Sequence, residues 1–176
     1  MHNFSELVDY CAAFTLAASK EVEEKTIEAL QTSGATPLVK ALQMVRLEKT
    51  ILAVGIFSMF EAILQDRLSC NNGFAEAKKI LEQNNESELL SRFTDLELAI
   101  NALKHGRGRS YNALVANNGG SLNSKVKQPD EHFFDEGDVS EITALIDADD
   151  NFIYSCVETI KQISETIQRI RPEISL

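Results

Sequence analysis

The sequence predicts an all-α fold, an antiparallel bundle of four to five helices with a long polar loop before the last helix. Apolar residues recur every three or four positions along most of the 176-residue chain, which is the spacing of amphipathic helices. No stretch alternates apolar and polar residues over the length of a strand. With 8 glycines and 3 prolines, the chain also lacks the many turn residues of a β sandwich. Its length indicates a single domain over residues 1–176.

Two long helices are predicted first. The helical spacing of the first run stops at Gly34, a residue type that commonly ends helices. Thr36 is the expected N-cap of the second helix because its hydroxyl can accept a hydrogen bond from a free amide, and Pro37 suits the first helical position. The second run reaches residues 71–73 and predicts either one helix or two helices with a break near Gly55.

Shorter helices follow. Residues 74–83 and 87–105 each carry apolar residues on one face, and Gly106 closes the second of these helices. Residues 110–116 add a short helical turn. From residue 116 to residue 137 the sequence is rich in polar residues and glycine, and it predicts a mobile loop or lid.

The last helix is expected to begin near Asp138, which has the spacing of a capping box with Glu141, and to end before Pro172. The acidic residues 147–150 interrupt its pattern. The isoleucines of residues 153–170 can either fill the core or form the interface of a homodimer.

Charge and cysteine content exclude several classes of protein. The chain has 17 Lys and Arg against 27 Asp and Glu, a net charge of −10, which excludes a uniformly basic nucleic-acid-binding surface. A local basic cluster remains compatible with this balance, because salt screens charges beyond about 8 Å. The three cysteines are far apart and form no CxxC pair, which predicts core residues rather than a zinc site or a disulfide framework.

Signals for export or membrane insertion are not visible in the sequence. The N-terminal residues lack the basic and apolar regions of a signal peptide. The apolar run over residues 51–64 is too short and too polar to span a membrane. We therefore expect a cytoplasmic protein that does not bind membranes and needs no metal or other cofactor.

One stretch, NALKHGRGR at residues 101–109, concentrates positive charge. It places Lys104, Arg107 and Arg109 beside His105. Asn101 and His105 are four residues apart, so they share one face of a helix. The glycines of this stretch allow the backbone to approach a ligand closely.

These residue types suit phosphodiester chemistry without a metal. His105 can transfer a proton to or from a ribose hydroxyl, and the guanidinium groups can stabilise charge on the transition state. Asn101 can fix the imidazole tautomer or bind a phosphate oxygen. The candidate catalytic residues are therefore His105, Asn101, Arg107 and Arg109, and the candidate RNA-binding residues are Lys104, Arg107, Arg109 and Tyr111, whose ring can stack on a base.

Each of these residues also has a purely structural interpretation. His105 and the cations after it can cap the free carbonyl groups of a helix end. Tyr111 can fill the core. Glu61 interrupts an apolar face, so it either faces solvent or pairs with Lys104 or His105. The acidic run over residues 130–150 is either a solvated surface or a cover for the basic cluster.

Residues 100–105 resemble the RNxxxH motif of HEPN domains, small all-α domains found in ribonucleases of toxin–antitoxin, CRISPR and abortive-infection systems. Asn101 and His105 match the motif, whereas Ile100 occupies the position of its arginine. Residues 57–64, FSMFEAIL, resemble the first core helix of the family, which often carries an aromatic-x-x-Glu-Ala-Leu pattern.

The resemblance implies an RNA- or nucleotide-binding homodimer, whose catalytic form is a metal-independent endoribonuclease with one composite site at the dimer interface. With Ile100 in the place of the arginine, either Arg107 or Arg109 rebuilds the site, or the domain keeps the fold without catalysis. The alternative function is a non-catalytic helical interaction or regulatory module, antitoxin-like or a structural dimer, with a protein partner from the same operon.

Overall fold

The computed structural model describes residues 3–129, 145–174 and 176, and over these ranges the chain is an all-α bundle, as predicted. The described part holds six α-helices, more than the four to five expected, and one short 3-10 helix. In chain order the elements are α1 (Phe4–Leu30), α2 (Thr36–Leu68), α3 (Gly73–Gln83), α4 (Ser87–His105), α5 (Arg109–Ala116), the 3-10 helix (Gly120–Lys125) and α6 (Asp150–Ile170). None of these helices is long and apolar enough to cross a bilayer.

The second helix, α2, is one continuous element of 33 residues that passes through Gly55 without a break. Its N-cap is Ala35, so the prediction that Thr36 is the N-cap is wrong by one residue. No side chain caps this end. The Leu38 amide instead donates to the Ala35 carbonyl oxygen at 2.9 Å. Pro37 lies in the first turn, where its missing amide costs no hydrogen bond.

Helices α1 and α2 lie side by side and run in opposite directions. The ring of Phe4 near the start of α1 stacks on the ring of Phe60 near the end of α2, with centroids 6.2 Å apart. In the middle of α1, Ser19 donates a hydrogen bond to Glu48 at 3.0 Å. The N-terminal half of α1 is therefore level with the C-terminal half of α2.

An aromatic cluster, to which α2, α3 and α4 each contribute a ring, occupies the centre of the core. Phe74 on α3 meets Phe57 on α2 and Phe93 on α4 edge to face, with centroid distances of 5.9 and 5.1 Å. Helix α3 approaches α2 this closely because its first residue is Gly73. A Cβ atom at that position would lie 2.6 Å from the carbonyl oxygen of Glu61.

The last helix, α6, begins later than its predicted start near Asp138. The Asp149 carboxylate supplies the cap by accepting a hydrogen bond from the Phe152 amide at 2.9 Å. Residues 145–149 are not helical, so the predicted helix is wrong over this part. Asp138 and Glu141 lie outside the described residues.

The isoleucines of α6 fill the core, which is one of the two roles expected for them. Four of them have no accessible surface, so this part of the helix offers no apolar face to a second copy: Ile153, Ile160, Ile163 and Ile167.

The described part of the predicted loop is packed against the bundle. The 3-10 helix follows a short turn after α5, and Val126 then forms an antiparallel bridge with Ile146. The side chains of Leu122, Val126 and Ile146 are buried, because the bridge holds this segment on the core. The prediction of a mobile loop or lid is therefore wrong for residues 117–129, and residues 130–137 lie outside the described part.

The three cysteines differ in exposure. Cys156 is buried in the core as predicted, and burial raises the pKa of its thiol. Cys70 is half-buried. Cys11 is exposed, contrary to the prediction, because it lies on the outer side of α1.

Ion pairs of the buried Lys49 join α1, α2 and α6. Lys49 Nζ lies 3.0 Å from a carboxylate oxygen of Glu23 and 2.7 Å from one of Asp150, and the Lys49 side chain is only 8% exposed. Burial by itself lowers the pKa of Lys49, but the hydrogen bonds to Asp150 and Glu23 outweigh it and raise the pKa above its usual value. Folding therefore favours the charged form of Lys49.

We expect Lys49→Ala to lower the free energy of unfolding by about 2 kcal/mol, because it leaves two neighbouring carboxylates without their cation. The loss is smaller than for a fully buried pair, since both carboxylates are partly exposed. Lys49→Met keeps the volume of the side chain and is expected to lose less. Urea unfolding measures both values.

The same contact predicts a pH dependence. Because folding raises the pKa of Lys49, its stabilisation is complete below about pH 10 and is lost as the pH rises through the pKa of the folded state. Wild type should therefore lose more stability than Lys49→Met between about pH 7 and pH 11. Equal losses in the two proteins would show that the charge of Lys49 does not contribute.

Candidate functional site

A sharp turn between α4 and α5 carries most of the predicted functional residues. Helix α4 ends at His105, and Gly106 turns the chain with a φ of 73°, a value that glycine adopts without strain. The Gly106 amide closes the last turn by donating to the Ala102 carbonyl oxygen at 2.8 Å. We define the cationic junction as the four exposed side chains on this turn: Lys104, His105, Arg107 and Arg109.

The cationic junction is accessible to an anion. Within residues 3–129 and 145–174, no hydrogen bond or ion pair engages the side chains of Lys104, His105 or Arg109. His105 is exposed at the helix end rather than buried beneath it. The side chains of Lys104, His105 and Arg109 are therefore accessible to solvent at one turn of the chain.

The charge of the whole chain is distributed unevenly around this turn. Residues 98–129 contain five Lys and Arg and no Asp or Glu, whereas the rest of the chain contains 12 Lys and Arg against 27 Asp and Glu. This acid-free segment comprises the end of α4, α5 and the 3-10 helix. The sequence analysis identified only its first three cations, although a running charge count would have found the whole segment.

The other two cations of the acid-free segment, Lys125 and Lys127, are less accessible than those of the cationic junction. Lys125 forms an ion pair with Asp149 and lies 3.8 Å from Asp147. Lys127 is buried. Asp147 and Asp149 belong to the acidic run over residues 130–150, which was expected either to be solvated or to cover the basic cluster. Both pair with Lys125, which lies outside the cationic junction.

A buried carboxylate fixes the acid-free segment onto α4. Asp95 accepts a hydrogen bond from the Ser121 amide at 2.8 Å. Gly120, the residue before Ser121, has a φ of 57°, and a Cβ atom there would lie 2.4 Å from a carboxylate oxygen of Asp95. Only glycine fits between this carboxylate and the turn. The sequence analysis missed both residues, since neither lies in a recognisable motif.

Tyr111 does not serve as a platform for a base. Its ring is buried, and its hydroxyl donates a hydrogen bond to the Lys127 carbonyl oxygen at 2.8 Å. The ring therefore ties α5 to the segment after the 3-10 helix. The prediction that Tyr111 stacks on a base is wrong, because the side chain is buried in the core.

A small cleft of about 90 Å³ lies between α2, α3 and α4, next to the cationic junction. It brings together Glu61, Asn101 and Lys104, three residues singled out from the sequence. Glu61 and Lys104 share the cleft but do not form an ion pair, which was one of the two interpretations of Glu61. His105 does not line it.

Ile100 forms part of the wall of this cleft and is buried in the core. The position that holds the arginine in the HEPN motif is thus an apolar core position in this chain. The nearest guanidinium groups in sequence are those of Arg107 and Arg109, beyond the turn at Gly106.

A larger cleft, of about 560 Å³, lies at the opposite end of α4, where Arg92 and Gln162 face each other between α4 and α6. Arg169 in its wall is already paired with Glu86 at 2.6 Å. Because α4 has 19 residues, its two ends are about 27 Å apart, and this cleft is separate from the cationic junction.

Among the described residues, no three His, Cys, Asp or Glu side chains cluster closely enough to hold a metal ion. No known protein family, curated protein sequence or solved structure matches the chain. A functional assignment therefore depends on the geometry of this site and on the few residues that resemble the HEPN motif.

Proposed function

We propose that the chain binds single-stranded RNA and that the cationic junction is its phosphate-binding site. The observation that carries this proposal is the exposure of Lys104, His105 and Arg109 at one turn, without a partner among the described residues. An arginine side chain binds a phosphate through two parallel hydrogen bonds, which makes the junction a suitable site for a phosphate backbone.

The acidic remainder of the chain limits where RNA can bind. Outside residues 98–129 the excess of acidic residues repels a polyanion, so contact is restricted to the acid-free segment. Within that segment Lys125 is paired and Lys127 is buried. The RNA backbone is therefore expected to follow the α4–α5 turn.

Cleavage of the bound RNA is a second candidate function, and the position of His105 favours it. An exposed imidazole among phosphate-binding cations can take a proton from a ribose 2′-hydroxyl or deliver one to the leaving oxygen. Asn101 lies one helical turn earlier, and the arginines of the junction would stabilise the transition-state charge. This is the metal-independent mechanism that the HEPN resemblance implies, with Arg107 or Arg109 in the role of the motif arginine.

The non-catalytic alternative, an interaction module, has support of a different kind. Nine of the ten exposed large apolar side chains among the described residues belong to α1 and α2, so the exposed apolar area is concentrated on these two helices. We define the outer face as five of these side chains at helical spacing: Leu7 and Phe14 on α1, and Met44, Ile51 and Met59 on α2.

We propose that the outer face binds a second copy of the chain. Its five side chains expose roughly 600 Å² together, from a typical area of about 200 Å² for a large apolar side chain. A stable interface needs about 800 Å² from each partner, and the residues that flank the face supply the rest. A two-fold axis lets the same patch cover itself, so the exposed Phe14, at 79%, becomes buried in both protomers.

The binding proposal predicts that Arg107→Gln/Arg109→Gln weakens binding of a fluorescent RNA of about ten nucleotides by at least tenfold. The slope of log K against log salt should become shallower by about 1.4, since about 0.7 is lost per phosphate contact. Lys20→Gln/Lys25→Gln is the matched control, because it removes the same charge from exposed positions on α1. Equal weakening by the two variants would contradict a localised site.

The cleavage hypothesis predicts that wild type degrades mixed RNA in the presence of EDTA, because proton transfer by His105 needs no metal. His105→Ala should reduce the rate by at least about 100-fold while RNA binding persists. Gel analysis of end-labelled RNA measures the rate. Full activity in His105→Ala would exclude this mechanism, and an inactive wild type that still binds RNA would identify a non-catalytic RNA-binding protein.

The interaction proposal predicts a dimer of wild type at micromolar concentration in analytical ultracentrifugation. Phe14→Glu should give a monomer, because it places a charge at the centre of an apolar interface. Tyr154→Glu is the control, since Tyr154 is exposed on α6 and is not part of the outer face. A monomeric wild type, or a dimer of Phe14→Glu, would refute the proposed interface.

A further inference from the structure

The small cleft beside the cationic junction has hydrogen-bonding groups that the fold does not use. Within residues 3–129 and 145–174, the side chains of Glu61, Asn101 and Lys104 form no hydrogen bond or ion pair. The other acidic residue of the cleft, Glu97, is already paired with Lys78. The cleft thus presents one free carboxylate, one free amide and one free ammonium group.

The inner wall of the cleft is formed by buried apolar side chains, with Ser58 and Glu97 also at its edge. Phe57 and Phe74 of the aromatic cluster and the buried Ile100 line its inner side. With about 90 Å³, the cleft is far smaller than a site for a whole small molecule, which typically measures at least about 300 Å³. It is wide enough for one edge of a flat ring whose remaining atoms lie outside.

We propose that this cleft recognises the Watson–Crick edge of a guanine in the bound RNA. This inference rests on the proposed function, because Lys104 belongs to both the cleft and the cationic junction. The two oxygens of Glu61 accept hydrogen bonds from N1–H and the N2 amino group of guanine, which are adjacent donors. The neighbouring O6 accepts from Lys104, and Asn101 lies within the same cleft to complete the contact.

The other bases fit this arrangement less well. The amino groups of adenine and cytosine each lie next to a ring nitrogen that accepts hydrogen bonds, and this nitrogen would face the Glu61 carboxylate. In uracil the single N3–H donor lies between two carbonyl oxygens. Each mismatch places an acceptor against an acceptor, so a bidentate contact to guanine should give a preference of about tenfold.

The test compares two RNAs of about ten nucleotides, oligouridine and the same sequence with one central guanine. Wild type should bind the guanine-containing RNA about tenfold more tightly, and Glu61→Gln should reduce this ratio to about one, because glutamine can accept only one of the two hydrogen bonds. Glu82→Gln is the matched control, since Glu82 is exposed on α3 outside the cleft and its loss changes the charge equally. Circular dichroism confirms the fold of both variants.

The outcomes separate the two proposals. RNA binding without a guanine preference, or a preference that survives in Glu61→Gln, overturns the guanine cleft and leaves the proposed function intact. If no RNA binds, a calorimetric titration with GMP and UMP decides between the remaining cases. Selective binding of GMP that Glu61→Gln abolishes supports the cleft as a nucleotide site and refutes RNA binding, whereas no selective binding of GMP refutes both.

Discussion

The packing of α4 against two neighbouring helices is the interaction on which the candidate site depends. Phe93 on α4 lies in the aromatic cluster with Phe57 and Phe74, and the missing side chain at Gly73 lets α3 close on α2. These contacts hold α4 at a fixed depth and rotation. The small cleft is the space between α2, α3 and α4. The cationic junction lies at the C-terminal end of α4.

The acid-free segment shows how an acidic protein can keep a positive site. Asp95 is buried on α4 and fixes the turn at Gly120 by accepting a hydrogen bond from the Ser121 amide. Where a surface acid does approach the segment, it pairs with Lys125. Lys104 and Arg109 remain at the surface without an acidic partner among the described residues. The junction is thus positive because the acidic residues lie elsewhere in the chain, although the net charge of the whole chain is negative.

The sequence allowed the fold class and the middle of the chain to be predicted well, because local signals decide them. Asn72 caps α3 through its side chain and Gly106 turns the chain after α4, so both helices have the expected ends within one residue. The start of α6 could not be predicted, since Asp138 and Asp149 both have the chemistry of a cap and the choice depends on tertiary contacts. The role of Tyr111 depended on Lys127, a partner 16 residues away.

Helical periodicity also identifies apolar faces without telling which face lies inside. Four isoleucines of α6 have no accessible surface, whereas α1 and α2 carry apolar residues on opposite sides and leave one set exposed. The sequence analysis therefore placed a candidate dimer surface on α6, and the structure has its exposed apolar side chains mainly on α1 and α2. Only the contacts between helices distinguish these two arrangements.

The difference from the HEPN motif has a physical explanation in the position of Ile100. This residue lies in the core beside Phe57. Burying an unpaired guanidinium group there would cost about 3 kcal/mol or more. Guanidinium groups placed after Gly106 avoid that cost, because the turn projects Arg107 and Arg109 into solvent. Two guanidinium groups thus follow His105 closely in the sequence while α4 retains an apolar contact with the core. An arginine on the turn, rather than on the helix, would approach the His105 imidazole from the solvent side. A scissile phosphate would then bind outside the cleft, and only a neighbouring base would reach inside it.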